Sequence, residues 1–207
     1  MSTLQKAYEV IVEYLRKLDG NNPQYTSNFE GTAERCAKAL LENTTTAMAI
    51  RLELNKIIGR TFDVQEIDDN PAGMVTQGPI TVNSMCPHHL MPVRYEAWLS
   101  YMPAAGKVLG LSKLARIAKL LGKRPVLQEQ LAIDIANTLC TDDVTKGGLK
   151  SCGSAVTLVG THTCMACRGV ESDARTTVTE LRGTYWEPEV ESKYLAAIQL
   201  TRNAKTF

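Results

Sequence analysis

The first third of the chain has the apolar spacing of amphipathic helices. From Thr3 to Leu18 apolar residues recur at intervals of three and four, which is the period of one helical face. Gly20 and the Asn-Asn-Pro that follows it are predicted to end this helix. A second helix is predicted to begin near Thr32, with the Thr32 hydroxyl as its cap, and to be interrupted between Asn43 and Thr46. A third apolar run stops at Gly59.

Beyond Asp68-Asp69-Asn70-Pro71 the apolar period changes to two, which is typical of β-strands. From Val93 to Tyr101 apolar and other residues alternate, as in an antiparallel strand with one buried face. Helices are predicted from a Ser112 cap to Gly122 and from Pro125 to about Cys140. Two further strands and a closing helix are predicted at 154–161, 175–181 and 190–201.

This order of elements predicts an α+β fold. A helical N-terminal arm is expected over residues 1–66, and a single sheet-containing domain over residues 67–207. A chain of 207 residues is long enough to fill one sizeable core. No internal repeat, low-complexity tract or clear linker interrupts the pattern.

Composition and net charge indicate which classes of binding partner are not expected for this protein. The net charge of +1 gives the whole chain no attraction to a nucleic-acid backbone, so nucleic acid is not an expected partner. No apolar run approaches the length of a membrane span and no leader pattern is seen, so we expect a cytoplasmic protein without a membrane partner. The six cysteines are widely scattered, and reduced thiols are expected.

The chain has three histidines, and all of them lie in two short stretches that also contain cysteine. The first stretch contains Cys86, His88 and His89, and the second contains His162 and Cys164. Thiolate and imidazole are the usual ligands of zinc, and three protein ligands with one open position make a site that activates water. The long interval between the stretches excludes a zinc finger and favours a metal centre built on a preformed fold.

The backbone conformation of each stretch decides whether its candidate ligands can point toward one metal ion. His162 and Cys164 face one side together if their segment is a strand. Cys86 and His89 converge only if the chain turns between them, and Pro87 favours such a turn. Cys164 and Cys167 also form a C-x-x-C pair, but a strand would send them to opposite faces, which argues against a redox pair. A zinc deaminase would need a glutamate two residues after its histidine, and the chain has none there.

An anion-binding site is predicted near the start of the helix that follows Gly110. Ser112, Lys113 and Arg116 lie where free backbone N–H groups and the helix dipole favour a phosphate, whereas Lys119 and Lys123 are interpreted as a solvated face. In the next helix, a glutamate in the first turn can complement the dipole, or its carboxylate can accept two hydrogen bonds from a guanine edge.

Four blocks of residues, in the same order and at similar intervals, resemble the GTP cyclohydrolase I family. They are Ser84-Met85-Cys86-x-His88-His89-Leu90, Gly110-Leu111-Ser112-Lys113-Leu114-Ala115-Arg116-Ile117, Gln128-Glu129, and His162-x-Cys164-Met165 with Arg168-Gly169. The run Thr32-Ala33-Glu34-Arg35 also resembles the family's Thr-Pro-x-Arg.

The resemblance implies a role for each matching residue. Cys86, His89 and Cys164 would hold zinc, and His88 and His162 would be the acid/base pair. Glu129, helped by Gln128, would hold the guanine edge of GTP. The residues expected at the ribose triphosphate end are Ser112, Lys113, Arg116, Arg168 and Arg35.

The resemblance also implies the reaction and the assembly. The family opens the imidazole ring of GTP, releases formate and forms 7,8-dihydroneopterin triphosphate, for pterin, folate or deazapurine synthesis. Its tunnelling fold has an antiparallel sheet with helices on one face, and the sheets combine into a barrel, usually in a homodecamer that shares active sites between subunits.

Three positions depart from the family's pattern. Pro87 stands where members usually have glutamate, Gln130 where many have arginine, and Ala33 where they have proline. Two alternatives therefore stay open beside the zinc-dependent hydrolase. One is a sister enzyme acting on another pterin or deazapurine precursor, and the other is a catalytically silent nucleotide-binding or regulatory subunit.

Overall fold

The computed structural model describes residues 2–18, 20–63, 73–104, 107–141 and 149–204. The chain forms two compact units, Met1–Thr45 and Thr46–Phe207. The predicted change of period at 68–71, and the predicted boundary between residues 66 and 67, lie outside the described residues. No described helix is both long enough and apolar enough to cross a membrane.

The first unit consists of helices. Helix α1 (Thr3–Leu18), the short α2 (Pro23–Thr26) and α3 (Thr32–Asn43) follow one another, and α1 packs against α3. The predicted cap at Thr32 is wrong, because Gly31, with φ of 68°, precedes the helix and Thr32 is its first residue. The Thr32 hydroxyl instead accepts a hydrogen bond of 2.8 Å from Nη2 of Arg35.

The second unit begins with α4 (Ala47–Ile58), which confirms the predicted interruption and the end at Gly59. Thr46 caps this helix, because its hydroxyl accepts a hydrogen bond of 3.2 Å from the N–H of Ala49. Its buried face contributes Ile50, Leu54 and Ile57 to the main core of the unit.

Four antiparallel strands form the main sheet. They are β2 (Val75–Met85), β3 (Pro92–Pro103), β5 (Ser151–His162) and β6 (Thr176–Gly183), in the order β2-β3-β5-β6. The short strands β1 (Thr61–Asp63) and β4 (Lys107–Leu109) pair separately. Tyr95 lies opposite both Val82 and Gly160, and Val93 lies opposite His162, so these side chains share one face of the sheet.

Helices cover both faces of this sheet, and the prediction of helices on one face is wrong. Helices α5 (Ser112–Leu121) and α6 (Gln128–Leu139) pack on the face that carries Tyr95. Helix α8 (Pro188–Asn203) packs on the other face, where Tyr194 and Ile198 contact Trp98. The middle of β3 is therefore buried on both sides, and the predicted half-buried pattern holds only near its start.

The starts of α5 and α6 also differ from the prediction. Leu111, not Ser112, precedes α5, and no side chain caps that helix. Helix α6 begins at Gln128, because Pro125 forms a bridge with Met85 and the N–H of Val126 donates to the Met85 carbonyl at 3.1 Å. This extended pairing places the first turn of α6 beside Met85 at the end of β2. Cys86 is the next residue in the chain.

Candidate active site

The first part of the site is a tight turn after β2. The N–H of Cys86 donates to the carbonyl of Met91 at 2.9 Å, and its carbonyl accepts from the N–H of Leu90 at 2.9 Å. Pro87 occupies the first position of the turn, where its missing N–H leaves no donor unpaired. The predicted turn between Cys86 and His89 is confirmed.

The second part of the site lies at the end of β5. His162 is the last residue of the strand, and Cys164 lies in the one-turn helix α7 (Thr163–Ala166). The prediction assumed that His162 and Cys164 both lie on a strand, and this assumption is wrong. The Thr163 hydroxyl donates to the carbonyl of Pro92 at 2.6 Å, which ties the α7 turn to the start of β3.

Cys86, His89 and Cys164 meet in space. One ligand atom from each residue lies within 4.8 Å of the corresponding atoms of the other two. A tetrahedral zinc ion holds two thiolates about 3.8 Å apart, so a small closure would complete the site. Two sulfurs and one imidazole suit zinc better than a hard cation. Cys167 is exposed and does not belong to this group.

A cavity of about 340 Å³ opens beside this cluster. Its lining combines the two histidine stretches with the first turn of α6 and the start of β6. The lining residues are Cys86, Pro87, His88, His89, Val126, Leu127, Gln128, Glu129, His162, Cys164, Met165 and Thr176. His88 lies next to the cluster, with Nδ1 3.9 Å from the sulfur of Cys86. The described cavity thus brings both predicted acid/base histidines and the predicted guanine acceptor to the predicted metal ligands.

Gln128 fixes the imidazole of His162. The amide nitrogen of Gln128 donates to the carbonyls of Leu158 and Thr176, both at 2.9 Å. With both amide protons used, its Oε1 is the acceptor in the 2.9 Å contact with Nε2 of His162. His162 therefore carries its proton on Nε2, and Nδ1 is the basic nitrogen. Gln128 is only 3 % exposed, which holds this arrangement in place.

Burial sets the ionisation of the site. It lowers the pKa of His162 below the usual range, and the nearby Glu129 carboxylate opposes this shift only in part. Desolvation and the neighbouring Cys86 thiol raise the pKa of Cys164. A bound metal ion would instead favour the thiolate form of the cysteines, because a coordinating thiol is deprotonated outright.

The predicted phosphate-binding residues, unlike the predicted metal ligands and acid/base histidines, do not line the cavity. Arg168 does not line the cavity, but its guanidinium donates to Nε2 of His89, which does. Ser112 and Arg116 are exposed on α5, and Lys113 is buried, but none of the three lines the cavity. Arg35 belongs to the first unit, where it donates to the carbonyl of Glu30 and to Thr32, both at 2.8 Å.

Sequence reasoning missed Tyr95 as a neighbour of the site. The alternation along β3 identified it only as a core residue. In the structure its ring lies edge-on to that of His162, with the ring centroids 5.9 Å apart. The register with β5 places it there, and no signal in the sequence fixes that register before the strands are paired.

Comparisons with known proteins show which family the chain resembles. A sequence model of the GTP cyclohydrolase I family matches residues 7–199. GTP cyclohydrolase 1 of Thermoanaerobacter pseudethanolicus is 37% identical over 153 residues, covering 71% of this chain and 77% of the relative. The enzyme of Streptococcus pyogenes serotype M49 is 32% identical over 198 residues, covering 94% and 92% of the two chains. The Streptococcus agalactiae enzyme is 31% identical over 199 residues, covering 96% and 98%.

Among solved structures, the archaeosine synthase QueF-Like in the apo form aligns with a TM-score of 0.39 and 18% identity, covering 55% of this chain and 97% of that one. This likeness is too weak to bear on the fold. The family match, in contrast, spans nearly the whole chain and includes every residue of the metal cluster and its cavity. The chain belongs to the GTP cyclohydrolase I family of enzymes.

Proposed function

We propose that this protein hydrolyses GTP to 7,8-dihydroneopterin triphosphate and formate, with zinc held by Cys86, His89 and Cys164. The observation that carries the proposal is the meeting of these three ligands beside a cavity that also contains two further histidines and Glu129. The donor set fits zinc, and one coordination position stays open for water. Zinc bound there supplies a Lewis acid that makes water nucleophilic near neutral pH.

His162 and His88 are proposed to move the protons of ring opening. Carbon 8 of guanine is a poor electrophile until its neighbour N7 is protonated, and a positioned imidazole can supply that proton. The contact with Gln128 holds the His162 ring in one orientation, and burial, by lowering the pKa of His162, makes its protonated form a stronger acid than an ordinary imidazolium. His88, on the exposed turn, is the second candidate for proton transfer.

Glu129 is proposed to bind the guanine edge. Its side chain is exposed at the cavity, in the first turn of α6, and a carboxylate accepts two parallel hydrogen bonds from adjacent N–H groups. Gln128 was expected to help there, but both of its amide protons are already used. We therefore propose that Gln128 acts on substrate mainly through His162.

The triphosphate is proposed to extend from this cavity to Ser112, Lys113 and Arg116, with Arg168 at the metal side and Arg35 as a further cation. Within one chain the α5 residues do not line the cavity. A homo-oligomer in which a neighbouring copy supplies these residues would complete the site, as the resemblance to the family's decamer implies. The same assembly would combine the sheets into a barrel.

Pro87 does not disturb the turn that holds the ligands. It is exposed, and the two backbone hydrogen bonds of the turn involve Cys86, Leu90 and Met91. The change from the family's usual glutamate therefore replaces a carboxylate at the cavity wall with an apolar ring. We propose that the protein remains an active enzyme, in which that carboxylate is dispensable.

The test of the proposed reaction is to incubate the zinc-loaded protein with GTP. We expect formate and neopterin, detected by fluorescence after oxidation, in a ratio of one to one. Formate without neopterin would mean a reaction arrested after ring opening. Neither product, with GTP still bound, would favour the silent nucleotide-binding subunit and refute the proposal.

Gln128→Leu is expected to slow the reaction without abolishing GTP binding. The change removes the partner of His162 Nε2 and two hydrogen bonds to backbone carbonyls, which should lower the free energy of unfolding by about 1–3 kcal/mol. We expect kcat to fall while KM changes less, and ¹⁵N NMR to show that His162 no longer holds one tautomer. Gln130→Leu, on the exposed side of the same turn, is the matched control. An unchanged kcat in Gln128→Leu would contradict this role.

A further inference from the structure

The chain between α5 and α6 is fixed against the end of β2. The hydroxyl of Ser84 donates to the carbonyl of Arg124 at 3.2 Å, and the N–H of Val126 donates to the carbonyl of Met85 at 3.1 Å. Glu129 follows shortly after Val126, in the first turn of α6. This connection therefore sets where Glu129 lies relative to the turn that carries the first two metal ligands.

Arg124 also reaches the body of α6 through its side chain. Its guanidinium donates to the carboxylate of Asp134, which is 10 residues further along the chain. The first turn of α6, with Glu129, lies between the two partners. Since the backbone of Arg124 is bound to β2, this ion pair connects α6 to the strand that leads into the metal-ligand turn.

The two members of the ion pair depend on each other, because both are partly buried. Arg124 and Asp134 are 33% and 24% exposed, and Nε of Arg124 is buried without a hydrogen-bond partner. In the described part of the chain, Asp134 is the carboxylate that pairs with this guanidinium. Removal of one member would leave the other as a poorly hydrated charge, which would turn toward water and release the connection to α6.

The first turn of α6 needs such contacts, because no side chain caps it. On the side of β5 and β6, Gln128 donates to the carbonyls of Leu158 and Thr176. On the side of β2, the ion pair is the corresponding contact. Two parallel hydrogen bonds to one carboxylate require a defined orientation, so a small rotation of this turn would cost Glu129 one of its two bonds to a guanine edge.

We propose that Asp134 is a positioning residue for purine recognition, which acts through its ion pair with Arg124 to orient the Glu129 carboxylate. This inference rests on the proposed role of Glu129 as the acceptor for the guanine edge. Gln130 also donates to Asp134, at 2.8 Å, but this is a neutral hydrogen bond from an exposed side chain. The positioning is therefore assigned to the ion pair and not to Gln130.

The test compares GTP with inosine triphosphate, whose base lacks the 2-amino group and offers Glu129 one N–H donor in place of two. A hydrogen bond to a charged acceptor is worth about a factor of 10 or more, so kcat/KM of the zinc-loaded wild type should be at least about 10-fold higher for GTP. In Asp134→Asn, which keeps the size and removes the charge, we expect this ratio to fall by about 10-fold, mainly through a higher KM for GTP, with unchanged zinc content. Both rates are measured by formate release on one sample. The fraction of folded protein then cancels, and a variant that is only less stable keeps the wild-type ratio.

Arg124→Gln removes the other member of the ion pair and should lower the ratio of the two kcat/KM values by the same factor. The double variant Arg124→Gln/Asp134→Asn should be no less selective than either single variant, because the two changes break one interaction. Effects that multiply in the double variant would show that the two residues act separately, and would overturn the proposal.

Glu180→Gln is the matched control. Glu180 and Arg182 form an ion pair of similar exposure, 23% and 28%, and Nε of Arg182 donates to Asn137 near the other end of α6 at 3.0 Å. We expect this variant to lose a similar amount in Tm and to keep the wild-type preference for GTP. An equal fall in the control would mean that selectivity follows general stability, which would overturn the role of Asp134.

Two further outcomes separate the positioning role from the proposed function. A wild-type ratio in Asp134→Asn, beside a wild type that prefers GTP, would overturn the role of Asp134 alone. A wild type that releases formate from both nucleotides without preference would overturn the role of Glu129, and the inference with it. A wild type that releases formate from neither nucleotide would overturn the proposed reaction itself.

Discussion

His162→Ala and His88→Ala are each expected to retain GTP binding and to lose most turnover. Proton transfer by a positioned side chain typically contributes about 10²- to 10⁴-fold to a rate, so we expect a fall of that order in kcat. The effect should be larger for His162, because Gln128 holds its imidazole in one orientation while His88 lies on an exposed turn. Turnover is measured by formate release and GTP binding by calorimetry.

Two controls separate proton transfer from damage to the metal site. Zinc content should stay at the wild-type level in both variants, although Nδ1 of His88 lies 3.9 Å from the sulfur of Cys86. Added imidazole should restore part of the lost activity, since a diffusing base can enter the vacated space. Wild-type rates in either alanine variant would refute the role of that histidine.

Cys164→Ser is expected to remove both the metal and the activity. Loss of an outer partner of a ligand already costs about 10- to 100-fold in affinity, so loss of a direct ligand should cost at least about 100-fold. The hydroxyl of serine is a poor replacement, because it does not become an anion as readily as a thiol. Zinc content after dialysis and formate release in the GTP assay measure the two effects.

Cys167→Ser provides the matched control for this prediction. Cys167 lies three residues further along, is exposed, and is not part of the described metal cluster. We expect it to retain metal and activity. If Cys167→Ser instead loses as much zinc as Cys164→Ser, the C-x-x-C pair takes part in the site and the three-ligand centre is wrong.

Local patterns predict most of the helical and extended segments, and the starts of α1 and α3 are confirmed, but the starts of α5 and α6 are not predicted correctly. The interruption between Asn43 and Thr46 and the stop at Gly59 are confirmed, because caps and breakers act over a few residues. The sequence pattern predicts the start of α6 at Pro125, three residues early, because a proline at a helix start and a proline in an extended bridge look alike in sequence. The bridge to Met85 decides between them, and it joins segments 40 residues apart.

The sequence by itself determined which residue types carry the chemistry: three histidines and two cysteines in two stretches, and a resemblance that named the ligands. Only the tertiary structure decided how they meet. Cys164 reaches the cluster on the one-turn helix α7 and not on a strand, Gln128 fixes His162, and Tyr95 lies against the same ring. The physical reason is that residue type and short spacing set what a side chain can do locally, whereas strand register and helix placement, which depend on packing of distant segments, set what it touches.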